Sequence, residues 1–238
     1  MRLGLIIILA GMVAPVCALA EAQEEESPWA GTAKLGYLAT SGNTDNSTLN
    51  TGFQVSYTAG KWTHLAEALA INASENKVTT AEAYDLGWKS ERNLSEHDFL
   101  FGRLQWRRDL FGAYAIQFSQ SVGYGRRLIS TDRHKLNVEI GVGLRQSELQ
   151  IGATEDEAIV RGGAFYKWLF SENAEFRQDF SIEAGDLNTY LESVTALSAK
   201  LVNDLALVAS YTIKHNTTVP PLTEKTDTYT ALALEYTF

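Results

Sequence analysis

Polar and apolar residues alternate along almost the whole chain. In "KLNVEIGVGLR" (135–145), Leu136, Val138, Ile140, Val142 and Leu144 share one face of an extended strand. Lys135, Asn137, Glu139, Gly141, Gly143 and Arg145 share the other. A helix, with a period of 3.6, would mix the two sets. The same pattern places Leu49, Thr51, Phe53, Val55 and Tyr57 opposite Asn50, Gly52, Gln54 and Ser56. It places Tyr114, Ile116, Phe118, Val122 and Tyr124 opposite Ala115, Gln117, Ser119, Ser121 and Gly123, with Gln120 an exception on the apolar face. Phe176, Phe180 and Ile182 oppose Glu175, Arg177, Asp179, Ser181 and Glu183. Leu205, Leu207, Ala209, Tyr211 and Ile213 oppose Ala206, Val208, Ser210, Thr212 and Lys214. Two segments are less regular. In 62–74, Glu67 interrupts the apolar set of Leu65 and Leu69, and in 189–202 only Glu192 and Lys200 set the faces, so bulges are expected in both.

The alternating segments are 29–41, 47–59, 62–74, 78–91, 97–109, 112–127, 134–147, 158–170, 174–186, 189–202, 205–214 and 227–238. They predict an all-β, transmembrane, antiparallel up-and-down β-barrel of about twelve strands, an even number that brings both chain ends to one side. With those ends in the periplasm, the connections 60–61, 93–96, 130–133, 171–173 and 203–204 are periplasmic. The longer set, including 42–46, 148–157 and 215–226, is extracellular. A soluble β-sandwich would alternate too, but its polar face would be rich in Lys and Glu. Here that face carries Gly, Ser, Ala, Thr, Gln and Asn with scattered charges of both signs, as a barrel interior does. The last strand runs to the final residue, with Leu232, Leu234, Tyr236 and Phe238 on its apolar face. That ending resembles the C-terminal β-signal by which outer-membrane proteins are recognised during assembly.

The N-terminus changes the setting. Arg2, an apolar run from Leu3 to about Val13, Pro15 and the small-x-small triplet Ala18-Leu19-Ala20 read as a signal peptide over 1–20, cleaved near Ala20. Residues 21–28, with Glu21, Glu24, Glu25 and Glu26, read as an acidic periplasmic leader, and 29–238 as the barrel. Cleavage removes Cys17, the single cysteine, so no disulfide or thiol chemistry is expected. Val16 before Cys17 argues against a lipoprotein. The formal net charge of −9, without a Lys/Arg-rich block, excludes nucleic acid as a natural partner.

Two stretches carry a family resemblance. "GYLATSGNTDNSTLNTGFQVSY" (36–57) has a Gly-aromatic strand leading into "SGNT" and a second strand, and "RRDLFGAYAIQFSQSVGYGRRL" (107–128) has a basic-aromatic-Asp turn before aromatic, Gly-rich strands. Both resemble the YdiY-like family of salt-induced outer-membrane proteins, over roughly Trp29 to Phe238. The family is a domain of unknown function. The resemblance therefore implies a fold, a location in the Gram-negative outer membrane and a salt or envelope-stress role, but no reaction.

No constellation of catalytic residues stands out. Asn43, Asp45, Asn46 and Asn50 could supply oxygens but lack EF-hand spacing, and a tight polar turn is the expected reading. His64, His97, His134 and His215 lie far apart and show no metal-ligand spacing. No Ser/His pair is evident for a barrel lipase. Glu155, Asp156 and Glu157 are expected to form a solvated loop tip. No catalytic, cofactor or metal site is expected. The candidate lumen charges are Arg103, Arg107, Glu139, Arg145, Arg161, Lys167, Glu175, Arg177, Asp179 and Glu183, which either pair across the interior and close it or line a narrow aqueous path. The expectation is a monomeric barrel with a structural or envelope-stress role. Its expected partners are outer-membrane lipid and lipopolysaccharide, the barrel assembly machinery and periplasmic chaperones. A small-solute channel is the alternative, followed by a barrel enzyme of lipase or protease type.

Overall fold

The computed structural model describes residues 27–40 and 46–238. Residues 1–20 and most of the leader, like the "SGNT" turn at 41–44, fall outside that range. Twelve strands follow in chain order: β1 (Trp29–Thr40), β2 (Asn46–Ala59), β3 (Trp62–Glu75), β4 (Val78–Asn93), β5 (Asp98–Asp109), β6 (Tyr114–Ser130), β7 (His134–Leu149), β8 (Thr154–Ser171), β9 (Ala174–Gly185), β10 (Thr189–Val202), β11 (Leu205–Asn216) and β12 (Thr226–Thr237). Each pairs antiparallel with its neighbours in sequence, and β1 pairs with β12, so the sheet is a closed up-and-down barrel. Closure leaves no strand edge unpaired around the ring, the condition for a sheet to stand in hydrocarbon. One end of the barrel carries Trp29 and Phe238; the other, the loop end, carries the connection 217–225.

Alternation sorts the side chains as the strand pleat requires. On β7, Ile140, Val142 and Leu144 are exposed on the outer face, Ile140 to 63%, while Glu139, Gly141, Arg145 and Ser147 are buried. Aromatic residues ring the outer surface near the terminal end. His64 stacks between Trp62 and Trp88, and His134 stacks on Trp168 and meets the Tyr166 hydroxyl at 2.8 Å through Nδ1. Such a belt suits the boundary between an apolar band and water.

The seam between β1 and β12 includes Phe238. The ladder joins Thr32–Leu35 to Thr237–Leu234. Phe238 extends it: its N–H donates to the Gly31 carbonyl at 2.9 Å, and the Gly31 N–H donates to the Phe238 carbonyl at 2.8 Å. The Phe238 ring lies over Gly31, where a Cβ would stand 2.5 Å from it, and packs near Phe53 and Tyr236. Leu232, Leu234, Tyr236 and Phe238 all lie on the outer face.

The structure corrects the sequence reading in three places. On β3 the apolar set Leu65, Leu69 and Ile71 points into the barrel, because these residues pair with the inward Ser56, Gly52 and Asn50. The outer face of β3 is instead the small set Ala66, Ala68 and Ala70. Glu67 therefore does not interrupt a lipid-facing row; it faces inward and meets Arg103 at 3.4 Å. On β6 an irregularity between Tyr114 and Ile116 moves Tyr114 off the outer set, and it is buried with its hydroxyl donating to the Thr218 carbonyl at 3.3 Å. Finally, β8 begins at Thr154, so Glu155, Asp156 and Glu157 are strand residues rather than a loop tip. The Glu157 side chain, 6% exposed, faces Arg145 and caps the backbone N–H groups of Leu187 and Asn188. The expected irregularities of the two less regular segments occur at Ala73/Ser74 and Lys200/Val202.

Candidate lumen site

The interior of the barrel between β4 and β9 is filled by charge. Glu183 on β9, 1% exposed, is the centre. It accepts from Arg161 of adjacent β8 at 2.8 Å and from Arg107 of β5 at 3.3 Å through both guanidinium NH groups. The Ser119 hydroxyl of β6 adds a bond at 3.3 Å, and Arg145 of β7 stands 3.7 Å away. The contact from Arg107 crosses the lumen, since three strands separate β5 from β9 in the ring. Arg145, 0% exposed, is in turn held by Glu157 at 2.5 Å and by the backbone carbonyls of Glu183 and Asn188. Three arginines thus share one carboxylate, with Asp85 and Glu157 as further counter-charges. Buried charge persists only when paired and hydrogen-bonded in this way.

Asn188 closes the loop end on this side. Its Nδ2 donates to the Asn216 Oδ1 at 2.8 Å, and its own Oδ1 accepts from the Thr217 hydroxyl and the Thr218 N–H. Asn188 thereby ties the 186–188 connection to the start of the 217–225 connection at the loop end. Nearer the terminal end, Lys89 of β4 bonds Glu139 of β7 across the interior. Its ammonium group also stands about 5.5 Å from the ring centres of Phe99, Phe101 and Phe165, distances at which a cation is attracted to an aromatic face.

The opposite half of the barrel, β10 through β12 and β1 through β3, is hollow. A chamber of about 430 Å³ lies there. Its outer wall is largely apolar or small: Leu65, Leu69 and Ile71 of β3, Val208 of β11, Ala231 and Ala233 of β12. The charged face of the filled half, including Arg103, Arg161 and Arg177, forms the other wall.

The ten candidate lumen charges all face inward, yet only some come together. Arg107, Arg145, Arg161 and Glu183 form the single network described above. Arg103 pairs with Glu67, Glu139 with Lys89, Lys167 with Glu175 at 2.5 Å, and Arg177 with Asp179 at 3.6 Å. The Lys167–Glu175 pair is half exposed near the terminal mouth. Sequence reasoning missed Asp85, Lys89, Glu157 and Asn188 as partners, and Phe99 and Phe101 as interior aromatics. The parity of Arg103 and Arg107 already places Phe99 and Phe101 on their face of β5. Across-lumen partners leave no such trace in the sequence. Among the described residues no group of three or more His, Cys, Asp or Glu side chains is placed to hold a metal ion.

Comparison with known proteins adds kinship. The model of a family described as "Protein of unknown function, DUF481" matches residues 33–238. The chain is 30% identical over 212 residues to the uncharacterized protein YdiY of Escherichia coli (strain K12), covering 89% of this chain and 84% of that one. Among solved structures, an outer-membrane channel from Pseudomonas putida F1 superposes with a TM-score of 0.52 at 8% identity, covering 92% of this chain and 100% of that one. The NanC porin superposes with a TM-score of 0.49 at 10% identity, covering 87% and 97%. At 8% identity the likeness to the Pseudomonas putida channel is one of fold: a β-barrel of the kind found among outer-membrane proteins.

Proposed function

The chain belongs to the DUF481 family, and from that premise we propose that it is a monomeric outer-membrane barrel whose lumen rests closed and which serves the envelope structurally, without catalysis. In this reading the signal peptide takes the chain to the periplasm of a Gram-negative cell. The assembly machinery then reads the strand ending Leu232, Leu234, Tyr236 and Phe238, and the apolar band meets outer-membrane lipid and lipopolysaccharide. A role under salt stress fits a barrel held shut by internal ion pairs. One observation carries the reading: Glu183, almost fully buried, is contacted by groups from β5, β6, β7 and β8 and so ties opposite walls together.

Conductance in a planar bilayer tests it. The wild-type barrel is expected to show no steady current at moderate voltage, whereas Glu183→Ala gives openings. A steady ohmic current through the wild-type protein overturns the closed-lumen reading. The chamber of about 430 Å³ favours a second reading, a narrow channel for small solutes. Its volume lies within the range usual for small-ligand sites.

A further inference from the structure

Six cations border the chamber, and five of them hold a carboxylate: Lys34 on Glu235, Lys89 on Glu139, Arg103 on Glu67, Arg161 on Glu183 and Arg177 on Asp179. Lys214 is the exception. It sits on β11, in register with Glu192 of β10 on one side and Asp227 of β12 on the other. All three side chains face inward within three residues of the loop end of their strands. Neighbours in such positions ordinarily pair. Here Lys214 has no carboxylate in ion-pair range among the described residues, and its ammonium group stands 5.5 Å from the centre of the Tyr229 ring. The Asp227 side chain makes no hydrogen bond or ion pair among them, and the Glu192 side chain accepts one bond, from the Tyr190 hydroxyl at 3.2 Å. Other acids nearby are already occupied. Asp85 is taken by Gln105 and Arg107, and Asp109 by two turn N–H groups and the Tyr229 hydroxyl.

A half-buried lysine and two half-buried carboxylates, side by side and unspent on one another, offer both signs of charge to a ligand. Toward the terminal end the inner face continues with Val194 on β10, with Thr212, Ser210 and then Val208 on β11, and with Ala231 and Ala233 on β12, and across the chamber β3 presents Ile71 and Leu69, the latter 48% exposed. Large apolar side chains facing a wet lumen instead of the outer face forgo burial unless something apolar covers them. We propose that the chamber binds a small zwitterionic solute with an apolar body. The solute's carboxylate goes to Lys214, its ammonium to Glu192 and Asp227, and its apolar part to Val194 and Ala231, the nearest apolar lining residues on the neighbouring strands. Charge-assisted hydrogen bonds at both ends would set orientation, and the apolar wall the size of the body. The proposal rests on the channel reading and names its solute class.

Calorimetric titration of the full mature barrel in detergent micelles tests it, with leucine as the zwitterion, N-acetyl-leucine as the anion and leucine amide as the cation. Leucine is expected to bind, with each blocked analogue at least tenfold weaker. Lys214→Met should weaken leucine at least tenfold and spare leucine amide. Lys214→Arg should restore leucine. The double change Glu192→Gln and Asp227→Asn should weaken leucine and leucine amide together. Folding of each variant is checked by its heat-dependent shift on gels. A folded wild-type barrel that takes up no leucine, or takes up all three probes equally, overturns the proposal, as does a Lys214→Met barrel that binds leucine unchanged. Current without selective binding would sink this site and spare the channel; selective binding in a silent barrel would do the reverse.

Discussion

The two halves of this barrel solve the same problem in opposite ways. Strands β4 to β9 fill their share of the interior with arginines and carboxylates until Arg145 and Glu183 are sealed from solvent. Strands β10 to β12 and β1 to β3 leave a chamber and turn Leu65, Leu69 and Ile71 toward it. The wall is one continuous antiparallel ladder in both halves, so the ladder does not dictate what occupies the space inside. Side-chain size and charge do. Long cations on β4, β5, β7 and β8 reach the middle of the barrel. Alanine, valine and leucine on β3, β11 and β12 stop short.

The largest expected effect comes from breaking the filled half at its centre. Glu183→Ala leaves Arg107 and Arg161 without their shared carboxylate. Removing one partner of a buried ion pair typically costs about 3–5 kcal/mol, and the unfolding free energy of the barrel in lipid vesicles should fall by that order. A loss below about 1 kcal/mol would mean that water reaches the network and that the filled half is wet.

An arginine placed in each half sharpens the comparison. Ile140→Arg sets a charge on the outer face of the filled half and should cost about 2–4 kcal/mol if it lies near the bilayer midplane. Leu69→Arg sets the same charge in the hollow half beside Glu67 and should cost less than half of that in the same vesicle assay. If Leu69→Arg proved the more damaging of the two, the inward facing of β3 would be wrong.

The seam is a third place to press. Gly31→Ala puts a Cβ 2.5 Å from the Phe238 ring and 2.9 Å from the Gln54 carbonyl. Overpacking of this kind costs about 1–3 kcal/mol. Deleting Phe238 on top of Gly31→Ala should recover stability that the ring clash had removed, while still losing the two backbone bonds of the seam; simple addition of the two losses would show that ring and glycine are independent. Smallest of all, Lys167→Met breaks a half-exposed pair with Glu175. It should change stability by less than about 1 kcal/mol, and a larger loss would extend the filled half to the terminal mouth.

Much of the fold was legible because strand alternation is a local property. A period of two in "KLNVEIGVGLR" fixes which side of β7 is apolar, and the turn residues between segments fix the strand count. The outward Phe238 and the inward Glu139, Arg145 and Glu183 follow from the same parity. Three features did not follow. The inward leucines of β3 alternate apart from Glu67, but alternation is symmetric between faces, and only pairing with Gly52 and Asn50 on β2 shows which face is inside. Tyr114 is turned inward by a local irregularity that costs one residue of register and has no composition of its own. Glu157 looked like part of an acidic loop tip because its partner, Arg145, belongs to another strand. The sequence by itself determined the strands, their faces up to inversion and the pool of interior charges, since each depends on near neighbours along the chain. Only the closed tertiary structure decided that Arg107 meets Glu183 across the lumen, that Lys214 makes no ion pair among the described residues, and that one half of the interior stays hollow, because those outcomes depend on which distant strands the ring brings face to face.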